Sequence, residues 1–150
     1  HHRGRFRCAP AVRGPGGLRR VKLLVDTQAW LWMLSEPDHL SRRARRLMQR
    51  SDSELFLSAA SAWEIAIKWG LGKLTLPGDP AEYVPSRMER SGVIPLPIKH
   101  AHVVQVARLP SHHRDPFDRV LVAQASLEEM TLLTGDRQLE PYGVRIEWAD

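Results

Sequence analysis

Residues 21–34 read Val21-Lys22-Leu23-Leu24-Val25-Asp26-Thr27-Gln28-Ala29-Trp30-Leu31-Trp32-Met33-Leu34. The apolar run stops at an aspartate, as a short strand buried in a parallel sheet would. Apolar residues then recur at helical spacing through Ala29, Trp30, Leu31 and Leu34. A strand, an acid and a helix in that order form the opening unit of an α/β fold, and strands alternate with helices downstream.

Ser41 caps an arginine-rich helix, SRRARRLMQR, in which Ala44, Leu47 and Met48 share one face and the arginines face outward. A strand follows around Leu55 to Leu57, then a helix over about 60–69 ended by Gly70, then the turn-rich loop LGKLTLPGDP. The spacing predicts a helix over 81–90 weakened by Pro85, a proline-interrupted strand over 93–98 and a helix over 101–108. Asp115-Pro116-Phe117 opens a long helix. A strand over 131–134 then runs into Gly135-Asp136, and a short strand spans 144–148. This alternation predicts a mostly parallel sheet covered by helices on both faces, with no internal repeat beyond residue 20.

Residues 1–20 form a different kind of segment, rich in Arg, Gly and Pro and without periodicity. They read as a disordered basic arm or an upstream extension, and His1-His2 fits a tag remnant. A basic RNA-binding arm is the functional alternative. The remaining residues, 21–150, read as one domain. The formal net charge is +5, but six of the 22 basic side chains and none of the 17 acidic ones lie in the arm. The body therefore holds 16 basic against 17 acidic side chains, and whole-chain charge is no argument for nucleic-acid binding. A lone cysteine, Cys8, forms no internal bridge, which makes the cytoplasm the expected compartment. No apolar run approaches the roughly 20 residues of a membrane span, and the start lacks the apolar segment of a secretory signal.

Ligands of an open parallel sheet bind beyond the carboxyl ends of its strands. Asp26 and Asp136 stand at two such ends, Glu64 lies about one turn into the helix after the second strand, and Asp118 lies in the first turn of the long helix. Each also has a structural reading. Asp26 can cap the following helix, Glu64 can pair with Lys68, Asp136 can stabilise a turn, and Asp115-Pro116-Phe117-Asp118 suits helix capping without any chemistry. Converging carboxylates repel one another and call for a cation. Oxygen ligands without matching His and Cys spacing suit Mg²⁺ or Mn²⁺. His112 and His113 lack the partners of a zinc site and read as substrate or partner contacts or solvated loop residues.

Four segments, in order, resemble the PIN-domain nucleases, and in particular the VapC-type toxins of bacterial toxin–antitoxin pairs. They are VKLLVDTQAWLWML, SAASAWEIAIKWGLGKL, HHRDPFDRVLVAQA and LLTGDRQLEPYGVRIEW, and they cover most of residues 21–148. The resemblance implies a PIN-like three-layer α/β/α sandwich. It also implies Mg²⁺- or Mn²⁺-dependent endonucleolytic cleavage of RNA, and a cognate antitoxin that blocks the acidic groove. It carries over Asp26, Glu64, Asp118 and Asp136 as catalytic and metal-ligating acids. Asp118 begins the pattern that continues through Leu121 and Ala123, and Asp115 is the nearby alternative. Thr27, Thr134 and Arg119 are candidates for supporting the acids or contacting phosphate.

The rival enzyme class, a phosphatase of the haloacid-dehalogenase type, needs a second aspartate two residues after the first, where Gln28 stands. A rival of another kind is a PIN-like module that binds RNA or protein without cleaving. A homodimer is expected through exposed Trp or Met surfaces, although Trp30, Trp32, Trp63 and Trp69 read first as core residues.

Overall fold

The computed structural model describes residues 20–111 and 115–150. Nearly all of the expected arm, with Cys8, lies outside the described residues, as do His112 and His113. Strand β1 (Val21–Val25) is the centre of a five-stranded sheet of order β3-β2-β1-β4-β5. The others are β2 (Ser53–Ser58), β3 (Ile94–Leu96), β4 (Thr131–Thr134) and β5 (Ile146–Trp148). The expectation of a mostly parallel sheet is exceeded, since every pairing is parallel.

Alternation along β1 separates two cores. Leu23 and Val25 join Leu55, Leu57 and Leu133 on one face. Helices α1 (Thr27–Ser35), α2 (Arg42–Gln49), α3 (Ala59–Gly70) and α4 (Pro80–Ser91) cover that face through Trp30, Met33, Met48, Ile65 and Val84. Leu24 and Leu132 point the other way, against Leu121, Val122 and Ala125 of α6 (Pro116–Leu127). Helix α5 (His100–Gln105) packs on α6, tied there by buried His102, whose Nε2 lies 2.8 Å from Glu128 Oε1 and whose Nδ1 accepts from the Lys99 N–H at 2.9 Å. The result is a three-layer α/β/α sandwich. With helices on both faces, the strands can be apolar on both sides.

The strand order places the topological switch point between β1 and β4: the chain leaves β1 toward β2 on one side, and returns to β4 on the other. Ligand crevices of open α/β sheets form at such a point, beyond the strands' carboxyl ends. The residues that follow β1 and β4 are Asp26 and Gly135-Asp136.

Several boundaries differ from the sequence expectations. Helix α3 runs through Gly70, and the left-handed residue that turns the chain is Gly72 at φ 72. Pro85 sits inside α4 without ending it. That helix is fixed at both ends, by Asp79 Oδ1 accepting from the Ala81 N–H at 2.8 Å and by left-handed Gly92, and it buries Val84. The strand expected at 93–98 shortens to three residues on the sheet edge, where Pro95 removes no bond that the interior needs. The helix expected over 101–108 begins at His100 and tightens into a 3₁₀ turn at Val106–Arg108, and the last strand is confined to Ile146–Trp148. Trp30 is fully buried and Trp32 packs at the core margin, but Trp63 and Trp69 are exposed and are not core residues. Among the described residues, no helix is long and apolar enough to cross a membrane.

Candidate active site

Asp26 ends β1 and begins α1. Its Oδ1 accepts the Ala29 N–H at 2.7 Å, capping the helix, and its Oδ2 accepts the Thr134 hydroxyl at 2.5 Å across the β1–β4 boundary. The same Thr134 oxygen accepts the Asp136 N–H at 3.0 Å, so one buried hydroxyl fixes two of the acids. Asp136 Oδ1 in turn accepts the Gln138 N–H at 3.0 Å and starts the 3₁₀ turn Arg137–Tyr142.

Glu64 is buried on α3, with Lys68 Nζ 2.8 Å from its Oε2. Asp118 is half-buried in the first turn of α6. Asp115 caps that helix, Oδ1 accepting the Phe117 N–H at 2.9 Å. Helices α3 and α6 meet over the same sheet edge, where the rings of Trp63 and Phe117 pack edge to face with centroids 5.2 Å apart. Each aromatic is the immediate chain neighbour of one of the acids.

The structural roles open to Asp26, Glu64, Asp115 and Asp136 are thus all filled. Capping does not explain the electrostatics. Burial, aided by the charges of Glu64 and Asp136, pushes the Asp26 carboxyl up from its ordinary 3.8 to about 6, against the hydrogen bonds from Thr134 and Ala29 that favour ionisation. The Lys68 ammonium is held above its usual range, first by its hydrogen bond to Glu64 and also by the charges of Asp115 and Asp118. Asp26 therefore senses Glu64 and Asp136, while Lys68 senses Glu64, Asp115 and Asp118. Glu64 is the member common to both sets.

Among the described residues, no three of the acids close tightly enough on one point to share an ion. Lys68 is the local counter-charge. The donor chemistry fits a hard divalent cation: carboxylate oxygens only, those of Asp26 and Glu64 buried and that of Asp26 held protonation-prone chiefly by its burial.

The supporting candidates divide. Thr134 bridges two of the acids, Asp26 and Asp136. Thr27 is half-buried at the start of α1. Arg119 is engaged elsewhere, Nη1 donating to Pro110 O at 3.0 Å and Tyr142 Oη at 3.3 Å, and Nη2 to Val106 O at 3.1 Å and Leu109 O at 3.4 Å. Its guanidinium fastens the α5–α6 connection onto α6. The sequence offered Lys68 only as an ion-pair partner and Trp63 first as core, with a dimer surface as the alternative; their place beside the acids depends on how α3 meets α6.

A family model described as PIN domain matches residues 23–144. Ribonuclease VapC16 of Mycobacterium tuberculosis is 53% identical over 58 residues, which is 39% of this chain and 41% of that relative. The chain thus spans about two fifths of the length of the curated relative it matches. Among solved structures, VapBC2 from Rickettsia felis bound to a promoter DNA fragment superposes with a TM-score of 0.65 at 13% identity, covering 87% of this chain and 100% of that one. DNA-bound VapBC from Salmonella typhimurium gives 0.61 at 20% identity, covering 85% and 98%. At those identities the structural likeness establishes the fold alone.

Proposed function

The chain belongs to the PIN domain family, and on that premise we propose that it is a divalent-metal-dependent endoribonuclease, a toxin silenced by a cognate antitoxin. The observation that carries this reading is the buried Asp26 carboxyl, raised to about 6 at the β1–β4 switch point with Glu64 and Asp136 beside it. A merely capping aspartate has no need of such an environment. The partial match to a ribonuclease and the likeness to toxin–antitoxin complexes support the same reading.

Asp26, Glu64, Asp118 and Asp136 would hold Mg²⁺ or Mn²⁺. Asp115 is the weaker alternative to Asp118, since it already caps α6. Bound there, the ion supplies Lewis-acid activation of water and neutralises charge on the phosphodiester. The protein's own contribution is placement. Thr134 locks the Asp26 carboxylate between a hydroxyl donor and the α1 amide, and keeps Asp136 at hydrogen-bonding distance from the same oxygen. Lys68 donates to Glu64 Oε2 and balances its charge.

Incubation with single-stranded RNA and Mg²⁺ or Mn²⁺ should give internal cleavage that EDTA abolishes and added metal restores. RNA binding without cleavage in either metal would identify a non-cleaving PIN-like module instead. Co-expression with the product of an adjacent small gene should yield a soluble complex whose RNase activity is lost. A purified complex that cuts RNA as fast as the free chain would disprove inhibition by that partner. We further propose that residues 21–150 are the nuclease unit and that the protein acts in the cytoplasm as a homodimer.

A further inference from the structure

Trp63 is 61% exposed, an unusual placement for the largest apolar side chain, and it stands beside the acids. It heads an outward stripe on α3 that continues through Ile67 and Leu71, at 37% and 64% exposure. Its first member touches α6. The edge-to-face contact with Phe117, 5.2 Å between centroids, fixes the indole relative to Glu64 on one helix and Asp118 on the other.

Resting on the nuclease reading above, we propose that Trp63 is a stacking platform for an unpaired base of the RNA strand whose phosphodiester lies at the acids. Electrostatics point the same way. Trp63 adjoins Glu64 and packs on the chain neighbour of Asp118, residues 21–150 carry 16 basic against 17 acidic side chains, and Arg119 is bound to three backbone carbonyls and Tyr142. Such a body holds a polyanion poorly by charge, so much of the affinity that residues 21–150 themselves supply must come from the bases. Single-stranded RNA is recognised largely by stacking unpaired bases on aromatic rings. The flat indole suits that contact, and the aliphatic Ile67 and Leu71 do not.

The test compares a short single-stranded RNA with an abasic ribose-phosphate oligomer of the same length, using the full chain and Mg²⁺. Trp63→Ala should raise KM for the RNA roughly tenfold or more with kcat within a few-fold, and should shrink the gap between RNA and abasic substrate. Trp63→Phe should keep most of that gap. Trp63→Leu, which preserves an apolar contact with Phe117, should lose it, and Leu71→Ala should leave KM unchanged. The proposal is overturned if folded Trp63→Ala keeps the wild-type KM for RNA, or if both substrates suffer equally. An equal loss accompanied by a shift from dimer to monomer in sedimentation would instead make the stripe a contact between copies. If the wild type cuts nothing in Mg²⁺ or Mn²⁺, the nuclease reading fails separately. Fluorescence anisotropy of labelled RNA then decides the stacking question, and equal affinities for wild type and Trp63→Ala would refute it.

Discussion

Asp26→Asn is expected to lose at least ~10²-fold in RNA cleavage while gaining stability in metal-free buffer at neutral pH. The substitution keeps the side chain's shape, and the amide oxygen can still accept the Ala29 N–H that caps α1. What disappears is the buried charge. A carboxyl shifted from 3.8 to about 6 on folding costs the ionised native state about 3 kcal/mol. The folded pKa is the higher one, so the native state binds protons more readily than the unfolded chain. This contribution to stability is full below about pH 4 and is lost as pH rises through about 6. In EDTA, the melting temperature of the wild type should therefore fall relative to that of Asp26→Asn across this window. Mg²⁺ should restore the wild type and leave the variant nearly unmoved. Undiminished cleavage by the folded variant would remove Asp26 from the reaction. A variant less stable than wild type at pH 7 without metal would show that capping, and not charge burial, dominates there.

Thr134→Val should cost activity about 10- to 100-fold, the range seen when a group that orients a metal ligand is removed, and should also destabilise the fold. Valine conserves shape but leaves Asp26 Oδ2 without its donor and the Asp136 N–H without its acceptor. Each buried orphan costs about 1–3 kcal/mol. Because the Thr134 hydrogen bond lowers the Asp26 pKa, its loss should move the acid limb of the activity profile to higher pH. Thr134→Ser should recover both limb and activity. A Thr134→Val enzyme that is less stable but has an unshifted pH profile would restrict the hydroxyl to a structural part.

The legibility of the chain followed locality. β1, β4 and their acids stand out in the sequence because a strand buried on both faces is a bare apolar run, and the residue that ends it is unmistakable. Trp63 misleads because α3 carries two apolar stripes, Ala60 and Ile65 inward and Trp63, Ile67 and Leu71 outward. Helical spacing identifies a stripe without saying which one meets the core. The Thr134 hydroxyl came into view through family likeness alone, since its partners depend on β4 lying beside β1. Arg119, beside Asp118 in a nuclease-like motif, suggests a phosphate contact, yet its guanidinium meets carbonyls from residues 9–13 positions earlier. Nothing local in DPFDR reveals that engagement.

The bond from Thr134 to Asp26 joins residues 108 positions apart. During synthesis the chain emerges from its N-terminus, and β1 cannot acquire its β4 neighbour until nearly all of the domain has left the ribosome. Until then Asp26 has neither the hydroxyl that aims it nor the adjoining Asp136. The environment of Asp26 is thus completed late and in one step, when β4 docks beside β1.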